Sequence, residues 1–157
     1  MKIRKISKPA LLLLFAIVAG ASLRIGFINH LSLRLDEAQC IFEAKLPVFG
    51  PGNLFHFMAT DVHPPLFILI LHYWINWFGT SITSLRAISL IPGVITIPVI
   101  YFLGKEIYSK KEALAASLIA AFNPMLIWYS INLKNYSFFI LASALSLLFF
   151  LLNLKPG

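Results

Sequence analysis

Asp36 and Glu37 stand side by side in Leu35-Asp36-Glu37-Ala38, and Asp61 and His63 follow in Asp61-Val62-His63-Pro64-Pro65. Carboxylates and an imidazole are groups that move protons: a carboxylate within hydrogen-bond reach takes a proton from an attacking hydroxyl, and an imidazole titrates near neutral pH. Each residue also has a plain structural reading. Asp36-Glu37 suits the first turn of a helix, where the dipole favours acids. Asp61 suits a cap on the helix that follows as well as contact with an acceptor or a phosphate. His63 suits a backbone hydrogen bond in a tight turn as well as a ligand or proton role. His56 and His72 read as interfacial, and His30 as a loop residue. No spacing of His, Cys, Asp and Glu resembles a dedicated metal cage. Cys40 is the single cysteine, so no intrachain disulfide forms, and it reads as a small half-buried apolar residue.

What must position these residues is a greasy chain. Charged residues make up 12% of it, against about 25% in soluble domains, and 59% of it is hydrophobic. The fold class expected is all-α: a polytopic membrane bundle of about four spans plus an interfacial helix in the first outer loop. The net charge of +7 does not point to nucleic acid, because the basic residues cluster at the ends of apolar runs. The spans fall at approximately 10–28, 84–103, 113–130 and 136–153 within one transmembrane region, 1–157. The first opens after Lys2, Arg4, Lys5, Lys8 and Pro9, and it fits the membrane if Arg24 snorkels at the outer edge. Ala19-Gly20-Ala21-Ser22 would also suit a signal peptidase; the resumed apolarity of Ile25-Gly26-Phe27 favours an uncleaved helix. Pro92, Pro98 and Pro124 lie inside spans, where they kink or open helices that neighbours then satisfy.

The outer loop, 29–83, carries a short amphipathic helix over 36–45, with Ala38, Ile41 and Phe42 on one face and Glu37 and Glu43 elsewhere. Pro47, Gly50, Pro51 and Gly52 end it. Leu54-Phe55-His56-Phe57-Met58 could touch headgroups. Residues 64–78 open on Pro64-Pro65, run short for a span, and carry His72, Tyr73, Trp74, Asn76 and Trp77, which suggest an interface.

Charge decides between crossing and lying flat. With 64–78 on the outer surface, Lys2, Arg4, Lys5, Lys8, Lys105, Lys110, Lys111 and Lys155 are inside, and only Arg34, Lys45, Arg86 and Lys134 are outside. With 64–78 crossing, the bias vanishes. The positive-inside rule therefore predicts a multi-pass cell-membrane protein with a cytoplasmic N-terminus. It also gathers Asp36, Asp61, His63 and the turn at 130–135 on one extracytoplasmic face.

Five weak signals in order now coincide: Asp36-Glu37-Ala38, His63-Pro64-Pro65-Leu66-Phe67, Leu85-Arg86-Ala87-Ile88-Ser89, Ala120-Ala121-Phe122-Asn123-Pro124 running into Trp128-Tyr129-Ser130, and Tyr136-Ser137. In this the chain resembles the N-terminal part of the GT-C glycosyltransferases related to dolichyl-phosphate-mannose protein mannosyltransferases and to polyprenyl-phosphate-sugar transferases. The resemblance implies transfer of a sugar from a polyprenyl (dolichyl) phosphate to an acceptor hydroxyl of a glycan, lipid or protein outside the cytoplasm. It makes Asp36 the expected catalytic base, with Glu37 the weaker candidate beside it. It makes Asp61, His63, Arg86, Lys134 and Tyr136 the expected substrate-binding residues, although Arg86 also suits a plain anchor at the membrane edge. No cofactor is implied; a divalent ion between Asp36 and the lipid phosphate is compatible but not required. The family pattern carries a Glu and an Arg ahead of the Tyr at the turn where this chain has Asn132 and Lys134. Lys134 keeps the charge and loses the bidentate fork, and Asn132 cannot act as a carboxylate. Because the sequence stops at Leu154-Lys155-Pro156-Gly157 after the fourth span, the resemblance implies a piece of a longer enzyme, expected to be inactive alone. The alternative is a truncated, non-catalytic membrane protein or small subunit that binds a lipid-linked sugar or a membrane partner.

Overall fold

In the computed structural model, residues 7–59 and 65–154 are described. They form eight helices and no strand: α1 Lys8–Phe27, α2 Leu35–Ala44, α3 Leu54–Met58, α4 Pro65–Phe78, α5 Ile82–Ile107, α6 Lys110–Phe122, α7 Pro124–Ile131 and α8 Tyr136–Asn153. Three of them, α1, α5 and α8, are long and apolar enough to cross a membrane, and α6 with α7 makes a fourth if the bent pair is one span. The protein is a helical membrane bundle. Asp61, His63 and Pro64 lie outside the described residues.

Helix α5 is the spine against which α1, α4, α6, α7 and α8 pack. Its 26 residues rise about 39 Å, more than the ~30 Å hydrocarbon layer. Pro92 and Pro98 sit inside it without ending it. Ser81 caps its start, accepting from Ser84 N at 3.2 Å. Close helix approach depends on glycine: a Cβ on Gly104 would lie 2.9 Å from Ala113 Cα, where α5 turns back into α6.

The break between α6 and α7 bends the chain by 53°. Pro124 has no N–H to give to the carbonyl four residues back, Ala120 O, so the helix must open. Asn123 then caps α7, its Oδ1 accepting from Met125 N at 2.9 Å and Leu126 N at 3.1 Å.

The carbonyls freed at that break explain Arg24. The expectation of a snorkelling arginine is overturned: Arg24 is buried to 1% exposure. Its Nη1 donates to Ala121 O and Gly20 O, both at 2.9 Å, its Nη2 to Ala120 O at 3.3 Å, and its Nε to Ser130 Oγ at 3.1 Å. A guanidinium supplies five fixed donors, and the proline break supplies carbonyls that need them.

Helices α2, α3 and α4 close over one end of the bundle. Cys40, Ala44, Leu54, Phe67, Ile68, Leu71, Leu85, Ile88 and Leu133 form one buried cluster joining α2, α3, α4, α5 and the turn before α8. Two hydrogen bonds pin α4: His72 Nδ1 donates to Ala44 O at 2.8 Å, and Trp74 Nε1 donates to Ser84 O at 2.9 Å.

Candidate functional site

Helix α2 turns a different stripe inward from the one expected, although Ile41 still packs against the buried cluster. Glu37, Cys40, Glu43 and Ala44 are its buried residues, whereas Phe42 is 59% exposed. The acids face inward because charged and polar partners wait there. Arg86, on α5, donates from Nε to Glu37 Oε1 at 3.0 Å and from Nη2 to Glu37 Oε2 at 2.8 Å. Leu133 N adds a third hydrogen bond to Oε1 at 2.8 Å, and Arg34 N a fourth to Oε2 at 3.1 Å. The remaining reach of Arg86 goes to the carbonyls of Ile28, Leu31 and Ser32. One ion pair thus ties the end of α1, the start of α2, the start of α5 and the turn before α8.

Burial pushes the Glu37 carboxyl up, but the Arg86 guanidinium and the two N–H donors outweigh it and hold the group below the usual carboxylate range. It stays charged, coordinated and enclosed. Asp36, one residue earlier, points the other way. Its side chain is 42% exposed and its Oδ1 lies 3.2 Å from Arg34 Nε. Arg34 in turn lies over the Trp128 ring of α7, 5.6 Å from its centroid. Of two adjacent carboxylates, one is locked in the frame and one is presented at the surface.

The turn 132–135 lies at the same end. Asn132 is buried, with Nδ2 donating to Trp128 O at 2.8 Å and Oδ1 enclosed without a hydrogen-bond partner. Lys134 is 5% exposed and lies beside Cys40. Burial raises the Cys40 thiol above its ordinary value; the nearby ammonium pulls it down without cancelling the effect. Ser89 Oγ donates to Lys134 O at 3.0 Å, fixing the turn on α5. Tyr136 is 46% exposed and stacks on Tyr129 with ring centroids 4.8 Å apart. Glu43, also buried, accepts from Gln39 Nε2 at 2.9 Å. The structure therefore brings Asp36, Glu37, Arg86, Lys134 and Tyr136 to one end of the bundle. Arg86 and Glu37 are spent on each other, while Asp36 and Tyr136 reach the surface. Among the described residues no group of three or more His, Cys, Asp or Glu could hold a metal ion.

The sequence reading missed Arg24 and Glu43 as buried polar residues. Glu37, Cys40, Glu43 and Ala44 are spaced as one helical stripe, so the signal was present in the spacing.

Two apolar slots flank this end. One, of about 200 Å³, lies between α4 and α8 and is lined by Leu66, Phe67, Ile70, Phe138 and Phe139, with Asn135 at its edge. The other, of about 300 Å³, lies between the end of α1 and α7 and is lined by Phe27, His30, Leu31, Pro124, Ile127, Trp128 and Ile131.

Three helices, or four, long and apolar enough to cross a membrane define a polytopic membrane protein, and at one end of the bundle a buried ion pair lies next to the exposed Asp36 carboxylate. Residues 62–157 match the family model described as dolichyl-phosphate-mannose-protein mannosyltransferase, and the chain belongs to that family. The matched range contains Arg86, Lys134 and Tyr136 and leaves out Asp36 and Glu37. No curated protein and no solved structure matches the chain.

Proposed function

We propose that this protein serves a glycosyltransferase reaction in which a sugar passes from a polyprenyl phosphate to an acceptor hydroxyl on the extracytoplasmic face, with Asp36 as the base. The observation that carries the reading is the split between the two acids: Glu37 is enclosed by four hydrogen bonds, and Asp36 is left at the surface. A general base must reach its substrate, and an enclosed carboxylate committed to a guanidinium does not.

In this reading Glu37 and Arg86 are positioning residues rather than catalytic ones. They hold the start of α2 against the 132–134 turn, so that Asp36 keeps a fixed distance from Lys134 and Tyr136. The acceptor oxygen attacks the anomeric carbon, its proton goes to the Asp36 carboxylate, and the bond between that carbon and the phosphate oxygen breaks with its electron pair on the phosphate. In this reading the exposed Tyr136 hydroxyl meets the phosphate, and the enclosed Lys134 ammonium offsets the growing charge through its field from within the turn. The α4–α8 slot, next to that turn, suits the first isoprene units of the donor. Asp61 and His63 keep their proposed substrate-binding roles on the same outer loop. In this reading the loop faces outward, because that topology leaves eight basic residues (Lys2, Arg4, Lys5, Lys8, Lys105, Lys110, Lys111 and Lys155) on the cytoplasmic side of the sequence and four on the other.

Asn132 and Lys134, in place of the family's Glu and Arg, favour a second reading in which the lipid-linked sugar is bound without turnover. The two are separated by giving membranes that hold the full-length protein either a radiolabelled polyprenyl-phosphate sugar or the corresponding nucleotide sugar. The expected result is transfer from the lipid donor alone. Transfer from the nucleotide sugar alone overturns the proposal, and donor binding without transfer establishes the second reading.

A further inference from the structure

The slot between α1 and α7 is built differently from an ordinary lipid-facing dent. Pro124, Ile127, Trp128 and Ile131 fall at the spacing of one helix face, so α7 lines the slot along its whole length. Phe27, His30 and Leu31 close the other wall, the His30 ring edge-on to Phe27. At the mouth, Trp128 is shared between two environments: its ring helps line the apolar slot and also carries the Arg34 guanidinium. Arg34 lies beyond the slot in an open basin with Ser32, Asp36 and Gln39. Its side chain is 48% exposed, and its Nε lies 3.2 Å from Asp36 Oδ1. A guanidinium has five N–H donors, so its terminal nitrogens remain able to take an anion while Nε stays on the carboxylate.

An apolar slot continuous with an exposed cation fits a molecule with an apolar chain and an anionic head. We propose that this slot binds an anionic membrane lipid carrying a headgroup hydroxyl, with its chain between α1 and α7, its phosphate on Arg34 and that hydroxyl at Asp36, and that this lipid is the sugar acceptor. The inference rests on the reading of Asp36 as the base and adds the acceptor's class. The donor is not the occupant favoured here, because the second slot, between α4 and α8, lies beside Asn135 and the Lys134 turn where the donor phosphate is placed. Transfer between two lipids needs two chain-binding slots, and the bundle has one between α1 and α7 and another between α4 and α8. The step balances: the headgroup O–H bond breaks, its proton goes to Asp36, the oxygen bonds the anomeric carbon, and the polyprenyl phosphate leaves with the electron pair.

The test uses the full-length protein in phosphatidylcholine nanodiscs containing trace photoreactive lipids that share one acyl or prenyl diazirine. The probes are phosphatidylglycerol, phosphatidylcholine and a polyprenyl phosphate. Labelled peptides are mapped in wild type, Arg34→Gln and Arg34→Lys. Phosphatidylglycerol is expected to label residues 124–131 several-fold above phosphatidylcholine, to fall to the phosphatidylcholine level in Arg34→Gln, and to keep part of its excess in Arg34→Lys. The polyprenyl phosphate is expected at 66–70 and 138–142. Equal labelling by the two phospholipids, or an excess untouched by Arg34→Gln, reduces the slot to ordinary lipid contact and overturns the proposal. Polyprenyl phosphate labelling 124–131 gives the slot to the donor and overturns it equally. Labelling requires no turnover, so it fails or succeeds separately from the transfer assay. In that assay the transferred label must partition with lipid; label in protein overturns the acceptor role, and no transfer at all removes the base and the acceptor role together.

Discussion

Arg86 grips both oxygens of Glu37, at 3.0 and 2.8 Å, across 49 positions of sequence and with both side chains almost fully enclosed. Breaking a buried pair from one side leaves a stranded charge, which costs about 3–5 kcal/mol. Glu37→Gln and Arg86→Leu are therefore each expected to lower the unfolding midpoint in detergent by many degrees. Arg86→Lys is expected to fall between, since an ammonium cannot reproduce the fork. Thermal unfolding followed by tryptophan fluorescence checks the order. A midpoint unmoved by Glu37→Gln would show the pair to be incidental.

The same pair sets an acid limit. The folded Glu37 carboxyl titrates below its unfolded value of about 4.3, so its contribution is fully present above that pH. It is lost as pH falls through the lower folded value, because protonation then favours the unfolded chain. Stability measured from pH 7 down to 3 is expected to bend downward below about 4.3 in wild type. In Glu37→Gln that component should be missing. An identical curve for both would contradict it.

Arg24 holds the α6–α7 break from across the bundle. Its loss leaves Ala120 O and Ala121 O without their donors in an apolar setting, at about 1–3 kcal/mol for each group. Arg24→Leu is expected to destabilise the protein strongly despite suiting an apolar helix better. Expression and unfolding in detergent read this directly, and a stabilised Arg24→Leu would show that the carbonyls find other partners.

Gly93 lies against Ser130, the residue that also receives Arg24 Nε. A Cβ there would meet Ser130 Cβ at 2.7 Å and its Oγ more closely still. Gly93→Ala is expected to cost about 1–3 kcal/mol through overpacking. Gly26→Ala, inside α1 and with nothing within 4 Å of the new Cβ, serves as the clash-free control and is expected to hold or slightly raise the midpoint in the same melt.

Much of this arrangement was legible in the chain. Three candidate spans, and a fourth if α6 and α7 make one, appear where apolar runs of sufficient length stand, and the short α2 and α4 helices were visible from their breakers and aromatics. The bend at Asn123-Pro124 followed from the missing N–H. Arg24 was harder, because an arginine in an apolar run has two solutions, snorkelling or finding carbonyls. Only the tertiary contact between Gly20 on α1 and Ala121 on α6 decides between them. The inward turn of Glu37 on α2 could not be read locally, because its partners, Arg86 and Leu133 N, come from 49 and 96 positions away. The meeting of Asp36 with Arg34 and Trp128 depends on the same long-range packing.

Membrane orientation gives a further outcome. In a Cys40→Ala background, Asp61→Cys is expected to react with an impermeant maleimide applied outside intact cells, and Lys110→Cys only after permeabilisation. The reverse pattern would turn the site toward the cytoplasm.

The division of labour between the two acids is tested most directly by sugar transfer per folded molecule in Asp36→Asn, with unfolding measured on the same preparation. The account predicts a wild-type melting curve and a transfer rate lowered by about 10²-fold or more, the scale of a lost general base. A rate equal to wild type in that correctly folded variant would contradict it.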